Sequence, residues 1–190
     1  MSSVFRIRHT TDQETLRIIG PVIPGIFGTA SIIDGVVTIV SNDRLVRGNL
    51  LLDTGAASSA IDESIAEQLQ LPSLSDTVDV HGVGGKHALT TYAATLGLEV
   101  EVLRSTQWTT KPIGSLLSFA IPCYVQGFPG LATSFKKEQL EVNNGLPIIG
   151  IIGRSFLQFT RTLYDGLAGQ LTVEIDESVG RGSAANQEGK

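Results

Sequence analysis

Residues 50–56 read Leu50-Leu51-Leu52-Asp53-Thr54-Gly55-Ala56. An apolar run delivers one carboxylate into a turn built from a hydroxyl residue, a glycine and an alanine. The chemistry open to such a carboxylate is amide hydrolysis, provided a second carboxylate faces it across one water. Two carboxylates about 3 Å apart cannot both ionise comfortably, so the pair holds one proton between them. The ionised member takes a proton from water, and the protonated member polarises the carbonyl under attack. Each must sit on a rigid, closely packed turn. Gly55 lets the backbone come close, and Thr54 offers a hydroxyl to lock the loop. Asp-Thr-Gly occurs once in the chain; Asp34-Gly35 and Asp165-Gly166 lack the intervening Thr or Ser. One chain therefore holds half a site, and a two-fold dimer would set Asp53 opposite its own copy.

Two further segments follow in order, Gly82-Val83-Gly84-Gly85 and Ile151-Ile152-Gly153-Arg154. With all three motifs in this sequence, the chain resembles the retropepsin-like, or retroviral-type, aspartic proteases. The resemblance covers roughly residues 18–175 in element order. It implies a homodimeric endopeptidase in which Asp53 is the catalytic carboxylate. By the same resemblance Thr54 hydrogen-bonds across to its dimer copy, and Gly55 contacts the substrate backbone. Ala56 completes the active loop. Gly82, Val83, Gly84 and Gly85 form the tip of a flap that closes over an extended peptide. Ile151 helps wall a substrate pocket, and Gly153 packs under the active loop beside Arg154. The resemblance implies no cofactor and no metal.

The chain departs from the viral pattern in three places. Viral members carry acidic residues after the loop's alanine, one of which pairs with the late arginine. Ala57 and Ser58 stand there instead, so Arg154 is expected to pair with Asp62 or Glu63. Inserts near 104–118 and 130–145 lengthen the chain, and a hairpin follows Gly153 past the usual viral end. Ala56 offers the carboxylate no hydroxyl donor, which predicts an activity optimum in the mildly acidic range.

The elements that must position these residues are short and turn-rich. The 190 residues include 21 glycines and 7 prolines, and 42% are apolar, which fits one domain with a real core. Asp34-Gly35 predicts a hairpin turn, and Leu50-Leu51-Leu52 a buried strand ending at Asp53. Asp62 to Leu71 reads as a helix capped by Asp62, with Ile65, Ala66 and Leu69 on one face and Pro72 as its stop. Thr77 to Val102 alternates as β structure around the glycine tip. Phe119–Val125 and Pro147–Ile152 read as strands, Arg154–Phe159 as a short helix, and residues 163–175 as a closing hairpin. The expected fold is all-β: a single-domain closed β-barrel or sandwich with one or two short helices and a flap hairpin. Residues 1–17 read as an N-terminal extension, 18–176 as the domain and 177–190 as a disordered tail.

Other classes fit less well. A net charge of -5 argues against a nucleic-acid partner. The uncharged stretch 18–33 is too short for a helical span and is broken by Pro21 and Pro24, so no membrane partner is expected. The single Cys123 excludes an internal disulfide and, with no secretory apolar region near the start, suggests a cytoplasmic protein. A phosphate loop ending at Lys86 would need glycine at Val80 and Ser or Thr at His87. A dinucleotide fingerprint would need glycine at His87. His81 and His87 lack a third ligand by sequence. The alternative function is a catalytically silent dimer module that binds extended peptides. Keeping Asp53, Thr54 and Gly55 together argues against it, since a carboxylate pair is costly to assemble.

Overall fold

The structure is a computed structural model that describes residues 3–10, 13–39, 44–82, 85–104, 117–134 and 145–176. Its organising element is β8 (Gly85–Arg104), a strand of 20 residues. Such a length outruns any one neighbour, and β8 pairs in turn with four strands. These are β1 (Ser3–Thr10), β2 (Val22–Gly28), β7 (Ser73–Gly82) and β9 (Leu117–Phe128). Gly97 lets β2 come close, because an added Cβ there would lie 3.3 Å from Ile26 Cβ.

The remaining strands close a ring. From β8 the pairing runs to β2, to β5 (Leu45–Leu52), to β10 (Ile148–Ile152), to β6 (Ala60–Asp62) and to β9, which returns to β8. All-β closure of this kind removes exposed edges within the ring. Two of its pairings are parallel, β5 with β10 and β6 with β9. Outside the ring, β1 pairs with β12 (Gln170–Asp176), which carries β11 (Thr160–Asp165) at the edge. The stretch before residue 18 thus supplies a strand to the main sheet. The β3–β4 hairpin (Ala30–Ile33, Val36–Ile39) stands apart as a two-stranded sheet. Asp34 and Gly35 at its turn have φ of 50 and 78, the double positive φ that a two-residue turn of this hand demands.

Phe27, Ile23, Leu50, Ile61, Leu98, Ile149, Ile152, Leu171 and Ile175 are almost fully buried and form one core with Ile65, Ala66 and Leu69. Each such side chain contributes about 1.5–3 kcal/mol of transfer free energy. Gly150 is glycine for lack of room, as a Cβ would lie 2.6 Å from both Ala60 O and the Phe27 ring.

The described residues hold three short α-helices, where one or two were expected. α2 (Glu63–Gln68) and α3 (Arg154–Leu157) fall where the sequence predicts them. The third, α1 (Gln13–Ile18), falls almost wholly in the stretch read as an N-terminal extension. Leu16 and Ile19 are buried there, so a local apolar anchor outweighs a short, polar sequence. The glycine-tip residues Val83 and Gly84, most of both inserts and the tail 177–190 lie outside the described residues. No described helix is long and apolar enough to cross a membrane.

Candidate active site

Asp53 leaves the end of β5 alongside the end of β10, because the two strands run parallel with Leu51 opposite Ile151 and Leu52 opposite Ile152. Its N–H continues the ladder to Ile152 O at 3.0 Å. The chain then turns. Gly55 N–H donates to Asp53 Oδ1 at 2.7 Å, and Ala56 N–H donates to Asp53 O at 3.2 Å. One carboxylate oxygen is thus fixed by the loop's own backbone, and a Cβ at position 55 would lie 3.0 Å from it. Asp53 is half-buried, while Thr54 and Gly55 are exposed and Ala56 is half-buried. The carboxylate is therefore held and reachable at once.

The second motif group grips this loop from behind. Gly153 lies so close that an added Cβ would be 2.3 Å from Ser58 O and 3.1 Å from Ala56 O. Arg154 N–H donates to Ala56 O at 2.9 Å, and Ser155 N–H donates to Ala57 O at 3.0 Å. The Arg154 guanidinium Nη1 donates to Thr54 O at 2.8 Å and to Gly55 O at 2.9 Å. This corrects the expected pairing of Arg154 with Asp62 or Glu63. The arginine reads backbone carbonyls, so the loop needs no acidic residue at 57 or 58.

Asp62 is committed elsewhere. It is 2% exposed and caps α2, accepting from Ser64 N–H at 3.0 Å and from the Ser64 hydroxyl. Its other oxygen accepts from Ala132 N–H at 2.8 Å, tying α2 to the 3₁₀ turn Leu131–Thr133. Burial pushes the Asp62 carboxyl up. The donors on Ala132, Ser64 and Ile65 outweigh that and hold it below its ordinary value.

The glycine-tipped hairpin is present as β7 and β8, with Gly82 opposite Gly85 and Gly85 at φ 107. Lys86 and Asp79 pair across it at 2.7 Å, both well exposed, an interaction of small energetic weight. His87, on the returning strand, sets its ring 6.5 Å from Phe128 at the end of β9. Ile151 is half-buried between Leu51 and Ala60 in the strand register. The structure thus brings Asp53, Thr54, Gly55, Ala56, Gly153 and Arg154 together. It places Ile151 on the strand that leads into that group. Sequence reading passed over Ser59 and Ser155, whose hydroxyls meet beneath the loop. Neither sits in a motif, and their contact joins positions distant in the chain. Among the described residues no group of His, Cys, Asp and Glu could hold a metal ion.

An all-β ring that presents Asp-Thr-Gly at a strand end, beside a glycine-tipped hairpin, is the arrangement that the resemblance to retropepsin-like aspartyl proteases leads one to expect. A family model described as Aspartyl protease matches residues 36–110. That stretch contains the Asp53 loop, α2 and the β7–β8 hairpin, while the Ile151–Arg154 motif lies outside it. No curated protein matches the chain.

Proposed function

We propose that the protein is an aspartic endopeptidase that acts as a homodimer, each protomer giving one Asp53 to a shared site. The observation that carries this is the Asp53 loop: a reachable carboxylate in the chain's one Asp-Thr-Gly, pinned by Gly55 N–H and gripped by Gly153 and Arg154. In the dimer the two carboxylates share a proton across one water. The charged one deprotonates the water, which attacks the scissile carbonyl while the other donates to its oxygen. An extended peptide lies between the Gly55 loops and the β7–β8 hairpins. The hairpins exclude bulk water from the reaction. Ile151 and its counterpart face apolar side chains of the substrate. Ala56 supplies no hydroxyl to the carboxylate, so activity should peak in mildly acidic solution. The lone Cys123 suits a reducing, cytoplasmic setting.

The test is digestion of a mixed peptide library at several pH values by wild type and Asp53→Asn, with sedimentation of both. Cleavage by wild type alone, both proteins being dimers, is the expected result. A dimeric wild type that cuts nothing across the pH range would refute proteolysis and favour a silent peptide-binding module.

A further inference from the structure

We infer that Ser59 and Ser155 are positioning residues that hold the Asp53 loop in place through a directed pair of hydroxyls. The inference rests on the reading of Asp53 as the catalytic carboxylate. Ser59 ends the loop just before β6 and is 6% exposed. Ser155 lies on α3 and is exposed. Ser155 Oγ accepts Ser59 N–H at 3.0 Å, and the two hydroxyl oxygens are 3.1 Å apart. Ser59 Oγ in turn accepts Gly153 N–H at 3.2 Å.

The proton between the two hydroxyls has a direction. Each hydroxyl has one proton to give and room to accept two. The Ser59 proton is buried, and a buried donor without a partner is costly. Ser155 is exposed and can give its own proton to water. Ser59 therefore donates to Ser155. Ser155 Oγ then serves two donors of Ser59, its N–H and its O–H, while Ser59 Oγ serves one, Gly153 N–H.

These bonds complete the hold on the loop. Its near end is pinned by Asp53 N–H to Ile152 O, and its middle by Arg154 and Ser155 N–H to Ala56 O and Ala57 O. The serine pair pins its far end. These pins come from the consecutive residues Ile152, Gly153, Arg154 and Ser155, and β9 adds one more at the far end, Gln126 N–H to Ser59 O at 3.0 Å. The unequal bonding makes an unusual forecast: truncating the exposed serine should harm the site more than truncating the buried one.

The experiment compares Ser155→Ala, Ser59→Ala and Ser155→Thr with wild type. It measures kcat and KM separately, melting temperature, and amide exchange at Ser59 and Gly153. Ser155→Ala is expected to lower kcat about 10- to 100-fold, the scale for a reacting group displaced by up to about 1 Å. KM should change less than about twofold, because the substrate-binding surfaces stay in place. Ser59→Ala should lose less, and Ser155→Thr, which keeps the hydroxyl, should recover most of kcat. Exchange at Ser59 should accelerate in Ser155→Ala. An unchanged kcat in a folded Ser155→Ala, or a larger loss in Ser59→Ala, overturns the inference. If wild type proves inactive, exchange decides alone. Faster exchange at Ser59 in Ser155→Ala then supports the hydroxyl hold while the proteolytic reading falls, and unchanged exchange sinks the hold itself.

Discussion

Replacing Gly153 by alanine separates room from conformation. Gly153 sits at φ -92 and ψ -176, extended backbone that any residue adopts. Alanine brings no backbone strain there. It brings a collision: a Cβ 2.3 Å from Ser58 O and 2.6 Å from Ser58 C, both main-chain atoms that no rotamer change can move. Ordinary contact starts at 3.4 Å, so the loop carbonyl must retreat by about 1 Å to reach the usual carbon–oxygen separation. Overpacking of this kind costs about 1–3 kcal/mol. For a chain of this size each kcal/mol lowers Tm by about 2–4 °C. The catalytic effect should exceed the thermal one, since a shift of about 1 Å in a reacting group costs roughly 10²-fold in rate. Peptide cleavage kinetics and calorimetry on one preparation measure both. Gly35→Ala is the contrast, with nothing within 4 Å of its Cβ but φ at 78. It should cost about 1 kcal/mol through conformation alone and spare activity. A Gly153→Ala protein within twofold of wild-type kcat/KM would refute the claim that this glycine holds the loop by close contact.

Three further outcomes are expected. Asp62→Ala removes a helix cap worth about 1 kcal/mol and orphans a buried N–H worth about 1–3 kcal/mol, so a loss of about 2–4 kcal/mol is expected in denaturant titration. The folded carboxyl lies below its unfolded value, so this stability is complete above about pH 4–5 and fades as pH falls through the folded value. The gap in stability between wild type and Asp62→Ala should therefore narrow in acid, and a gap that widened would contradict the hydrogen-bond assignment. Arg154→Met removes two guanidinium bonds to loop carbonyls; being exposed, the residue should cost about 1 kcal/mol or less in stability yet lower kcat/KM severalfold. Burial pushes the Cys123 thiol up to about 12, so alkylation at pH 8 should be slow in the native protein and fast in guanidinium, and equal rates would place the sulfur in solvent.

The parts of the fold legible in the sequence are those whose cause is local. The Asp34-Gly35 turn, the Asp62 cap and the strand into Asp53 each follow from neighbouring residues, and each appears as expected. What stayed hidden depends on contacts across the chain. The Arg154 partners are carbonyls, which every residue carries, so no side-chain type betrays them. α1 forms because Leu16 and Ile19 find a core to enter, not because its residues demand a helix. The return of β9 to β8 joins segments separated by an insert, and the Ser59–Ser155 bond spans 96 positions. Periodicity within either segment is silent on such meetings.

The grip of residues 152–155 on the Asp53 loop also orders events in time. The Arg154 bonds to the loop span sequence separations of 99 and 100 residues. Closing so long a loop spends chain entropy before any contact rewards it. While a nascent chain still ends short of Ser155, Asp53 has left the ribosome but its loop lacks these long-range bonds. The loop gains these bonds only once β10 and α3 have docked. Synthesis itself thus serves as a delay, keeping the Asp53 loop slack until nearly all of its own fold is in place.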